Sequence, residues 1–74
     1  MSNHYDEAPC DVMEVQQYVQ QNIYNKTGNL EQSTCVWNAV KYLLRLGKKD
    51  AVDKELFKIE DYIHRARTGK WLKR

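Results

Sequence analysis

Apolar side chains return along this chain at helical spacing. Val12, Val15, Val19 and Ile23 recur at three- and four-residue steps, which gathers them on one side of a helix. Val36, Val40, Leu43 and Leu44 predict a second helical stripe, and Val52, Leu56, Ile59, Ile63 and Ala66 a third, the most regular in the chain. No stretch alternates as a strand would. The punctuation agrees with three helices. Asp11 or Cys10, just after Pro9, is placed to begin the first, and Asn25-Lys26-Thr27-Gly28-Asn29 reads as a loop. The second helix opens near Asn29 or Ser33 and stops at Gly47. The third begins after Asp50, read as its N-cap, and Gly69 ends it. The pattern predicts an all-α fold, a small three-helix bundle in a single domain over residues 1–74, with 1–9 as an N-terminal arm and 66–74 as a basic C-terminal tail.

Length adds a second expectation. A chain of 74 residues buries only about 60% of its surface. A dozen or so aliphatic side chains at roughly 1.5–3 kcal/mol each barely offset its ordering entropy. Tyr18, Tyr24, Trp37, Tyr42, Phe57, Tyr62 and Trp71 cannot all enter so small a core. Some must face outward or meet a second copy, so the bundle is expected to be completed by homo-oligomerisation. A two-domain enzyme with a full nucleotide-binding sheet is excluded. The longest apolar runs, Cys35-Val36-Trp37 and Tyr42-Leu43-Leu44, are far too short to span a membrane. Asp6, Glu7 and Asp11 occupy the place of a signal peptide's apolar stretch, so a soluble, cytoplasmic protein without a membrane partner is expected. Two cysteines, Cys10 and Cys35, make no disulfide framework, and their spacing predicts no metal site. They read as reduced thiols.

Charge divides the chain. Residues 1–34 sum to −4 and residues 35–74 to +6, an asymmetry that suggests an anionic partner for the second half or head-to-tail contact between copies. Asn38, Lys41 and Arg45 share one helix face, and Lys48 and Lys49 follow at the glycine bend. Free backbone amides opening the next helix attract phosphate oxygens, and Lys54 and Lys58 extend the positive field. The plainer reading is that Lys41 and Arg45 only offset the dipole at a helix end. A Walker A loop is excluded, because its first glycine would fall at Tyr42. His4-Tyr5, beside Asp6, Glu7 and Asp11, could reach a base edge, whereas His64 reads as a boundary residue. Ser33, Thr34 and Cys35 read as capping and packing residues, not nucleophiles. Arg65, Arg67, Lys70, Lys73 and Arg74, with Trp71 among them, make nucleic acid a weaker candidate partner.

His4-Tyr5, Asp11-Val12, then Asn38, Lys41-Tyr42, Arg45 and Gly47-Lys48-Lys49, followed by Glu55-Leu56, Lys58 and Tyr62, together resemble a phage domain family described as SaV-like. Trp37 stands where that family often has glycine. A related domain forms part of a phage nucleoside monophosphate kinase, so the resemblance implies a phage origin and a nucleotide-related site. On this reading a nucleotide is bound through its phosphates, with kinase-like transfer as its catalytic form and no cofactor specified. Arg45, Lys48 and Lys49 would hold the phosphates, Lys41 and Lys58 would assist, Asn38 or His4 would reach sugar or base, and Tyr5 or Tyr42 would stack. The alternative is a non-catalytic phage counter-defence factor in the host cytoplasm, which sequesters a nucleotide signal or binds a host protein.

Overall fold

The computed structural model describes residues 11–48 and 50–73. It contains three helices: α1 (Val12–Thr27), α2 (Leu30–Leu44) and α3 (Val52–Thr68). Asp11 is the N-cap of α1, its carboxylate accepting from the Glu14 amide at 2.9 Å, and Asn29 caps α2 by accepting from the Gln32 amide at 2.9 Å. Each satisfies an amide that the first turn leaves without a helical partner. Gly28 stands in the left-handed region (φ 66°), and its amide donates to the Tyr24 carbonyl. This closes α1 as a glycine does best. The segment expected as a loop is therefore mostly helix: Asn25, Lys26 and Thr27 continue α1, leaving a two-residue joint. Thr27 stabilises that ending, its hydroxyl donating to the Ile23 carbonyl and accepting from the Asn29 amide.

The start of α3 departs from expectation too. Its N-cap position is Ala51, which can offer no side-chain acceptor; Asp50, one residue earlier, instead approaches Lys58 at 3.9 Å. α2 ends at Leu44 and turns through residues 45–48, with Gly47 at φ 79°.

α2 is the middle helix. α1 and α3 pack on opposite sides of it with their backbones held apart, so the bundle is a single layer, 38 × 31 × 11 Å. This arrangement explains which residues are buried. A helix flanked on both sides needs small residues on both, and the buried positions of α2 are Ser33, Cys35 and Ala39. The expected stripe of Val36, Val40, Leu43 and Leu44 is not its core: the valines are half-buried, and Leu43 and Leu44 are exposed. In α1 the buried residue is Gln16, flanked by the valines expected to do that work. Its amide donates to the Trp37 carbonyl at 3.1 Å, and Gln20 donates to Thr34 Oγ1 at 3.3 Å, so the α1–α2 seam is partly polar. The α2–α3 seam is held by Gln32, donating to the Ala66 carbonyl at 3.0 Å, and by Arg65 with Glu31 at 3.2 Å. Of the α3 stripe only Ile59 is buried among its large apolar residues. Cys35 is a buried free thiol, while Cys10 lies outside the described residues.

Two faces remain, and they differ in chemistry. Helical geometry puts Val15, Val19, Val36, Leu43, Leu56 and Ile63 toward one face of the layer. Asn38, Lys41, Arg45, Lys58 and Arg65 fall toward the other.

Candidate functional site

The second face carries the site. Lys41 projects from the last turn of α2 and Arg45 is its C-cap residue, one turn on. Tyr42 sits between them in sequence and becomes the centre of the cluster. Lys41 Nζ lies 5.0 Å, Arg45 Cζ 5.3 Å and Lys58 Nζ 5.2 Å from the Tyr42 ring centroid. Each pairing lies within cation–π range. Lys58 comes from α3, so antiparallel packing of α2 and α3 brings together cations that are 17 positions apart at the extreme. Lys41 also lies 5.9 Å from the Trp37 ring.

A row of rings continues from there. Tyr42 stacks on Tyr62 at 5.9 Å with 22° between the planes, and Tyr62 meets Trp71 edge to face at 5.5 Å and 72°. Arg65 Cζ lies 4.9 Å from the Trp71 centroid and closes the far end. Trp71 thus folds back onto α3. Ala66, Arg67 and Thr68, assigned to the tail by the sequence reading, are helical. The result is a strip of three rings with cations at both ends.

The polar atoms along this seam are unevenly matched. Arg45 Nε is buried without a hydrogen-bond partner, as are both carboxyl oxygens of Glu55, a residue with 0% exposure in the first turn of α3. A buried guanidinium N–H without an acceptor is costly, as is a buried carboxylate without a donor. Lys58 is shared with Asp50 at 3.9 Å, but both side chains are more than a third exposed, so that pairing is weak. The Tyr62 phenol is pushed above its ordinary value, first by burial and then by Tyr42 and Cys35, and so keeps its proton at neutral pH.

The expected site residues divide into three groups. Lys41, Tyr42, Arg45 and Lys58 converge. Asn38 lies on the same face, but its amide donates to the Thr34 carbonyl at 3.1 Å. Lys48 is exposed in the turn after α2, its backbone amide donating to the Arg45 carbonyl. His4, Tyr5 and Lys49 lie outside the described residues. Tyr62, Arg65 and Trp71 join a strip that reading α2 alone does not reveal. Their signal was the recurrence of basic and aromatic residues along the end of the chain. Among the described residues no group of three or more His, Cys, Asp or Glu could hold a metal ion, and no helix is long and apolar enough to cross a membrane.

A family model described as a protein of unknown function (DUF3310) matches residues 1–64. The chain belongs to the DUF3310 family. The match spans all three helices nearly to the end of α3, so the convergence of Lys41, Tyr42, Arg45 and Lys58 falls inside this DUF3310 domain, while Arg65 and Trp71 lie just beyond it. No curated protein and no solved structure matches the chain.

Proposed function

We propose that this DUF3310 protein binds a nucleotide through its phosphates on the strip between α2 and α3. The observation that carries this reading is the meeting of Lys41, Arg45 and Lys58 around one ring. Two ammonium groups and a guanidinium within one small area suit an oxyanion with several acceptors, and the planar fork of arginine suits a phosphate best. Trp71, 52% exposed at the other end of the row, offers a surface on which a base can stack. The resemblance to the SaV-like phage family supports the same reading, and phosphoryl transfer would be its catalytic form. That chemistry depends mainly on positioning and charge neutralisation, which such a cluster can supply.

The competing explanation is that these cations only offset the C-terminal dipole of α2. Calorimetric titration separates the two. Nucleoside mono-, di- and triphosphates are expected to bind, and the parent nucleoside, lacking phosphate, to bind far more weakly. Arg45→Ala should weaken nucleotide binding by about 1.5–3 kcal/mol, the scale of a lost charged hydrogen bond, while leaving the helical circular dichroism intact. Equal affinity in variant and parent, or equal affinity for nucleoside and nucleotide, overturns the assignment. A short single strand that binds much more tightly than any mononucleotide would replace it with a nucleic-acid reading.

A further inference from the structure

The opposite face of the layer has its own unsolved requirement. α2 forms the floor of a groove of about 520 Å³, walled by α1 through Ile23 and Lys26 and by α3 through Ile63 and Arg67, with Val36 below. Farther along α3, Asp53 and Leu56 edge a second hollow of about 260 Å³. Leu43 is 50% exposed, Ile63 44% and Leu56 41%, and all three lie toward this face. The buried apolar residues among those described are only Cys35, Ala39 and Ile59. So slight a core rarely holds a chain of this size without further burial.

We propose that this face pairs with the same face of a second copy, the two α3 helices running antiparallel. The charge pattern singles out a copy of this chain as the occupant. Asp53 marks one end of the exposed α3 stripe and Arg67 the other, 14 residues and about 21 Å apart. Lys26 stands across the groove from Arg67 and adds to the positive end. Rotation by half a turn about an axis between Leu56 and Ile63 sets the acidic end of each copy against the basic end of the other. Leu56 then meets the partner's Ile63. A face that complements itself under a two-fold rotation is what an isologous dimer requires. Parallel pairing would set like charges against each other.

Sedimentation equilibrium tests the pairing on the full chain. The protein is expected to sediment at twice its 8.8 kDa chain mass, and Ile63→Glu to shift it to the monomer. Asp53→Lys and Arg67→Glu should each weaken self-association at least tenfold, because each sets like charges together twice. Mixed in equal amounts, the two variants should restore a dimer, since the positions of both Asp53–Arg67 pairs then carry opposite charges. Circular dichroism of the charge variants, whose substitutions are on the surface, checks that they fold. A monomeric parent chain, or charge variants that associate like the parent, overturns the proposal. A mixture that stays monomeric excludes the antiparallel register and overturns it too. The nucleotide strip lies on the other face, so failure here leaves that reading standing, and the reverse also holds.

Discussion

Glu55 is the residue whose burial is hardest to justify by packing. It has 0% exposure, and neither carboxyl oxygen finds a hydrogen-bond donor. Buried acceptors left unmatched cost free energy that an apolar side chain of similar volume would not. Glu55→Met is therefore expected to stabilise the fold by about 1–3 kcal/mol, measured by urea unfolding. A loss of stability would show that the carboxyl group has a donor in solution. Tyr62 gives a prediction in pH. Its phenol is raised above the ordinary value of 10.0 by burial, then by Tyr42 and Cys35. The unfolded chain thus loses this proton at a lower pH than the folded one does. The associated stability is complete below the unfolded value and drains away as pH rises through the folded one. Tyr62→Phe should flatten this alkaline loss in thermal melts carried above about pH 10. Superimposable curves would mean that the phenol titrates alike in both states.

Each helix is defined by its ends as much as by its face. The Asn29 side chain accepts from the Gln32 amide at 2.9 Å, and no other side chain is placed to do so at the two-residue joint. Asn29→Ala should therefore cost about 1 kcal/mol, read as a lower urea midpoint with an unchanged slope. An unchanged midpoint would leave the cap without an energetic role. The helices, the caps Asp11 and Asn29 and the closing Gly69 were legible in the sequence because periodicity and capping residues are local signals. The start of α3 was misread since Asp50 has the right chemistry one position too early, next to an attractive cation in Lys58. Which residues are buried was not legible. A stripe of large apolar residues identifies the core when a helix has one neighbour. α2 has two, on opposite sides, and small Ser33 and Ala39 let them approach. The site was legible in its α2 half, where Lys41 and Arg45 are one turn apart. Its other half depends on the register of α3 against α2, which no local spacing encodes, and so Tyr62 and Trp71 joined it only in three dimensions.

At the scale of the molecule, the fold separates its chemistry by face. Cations and rings gather on one side, while aliphatic residues with an acidic and a basic end occupy the other. The proposed ligand and the proposed second copy would consequently approach from opposite directions. Substitutions designed for one surface, such as Arg45→Ala or Ile63→Glu, can be read without direct interference at the other.

That independence has a consequence over longer times. In a thick bundle, a change on one helix must be accommodated by every neighbour around a common interior. Here the α1 and α3 backbones stay apart, and the spine between them is lined with small side chains. Descendants of this chain could therefore exchange one surface for another chemistry while inheriting the opposite one unaltered.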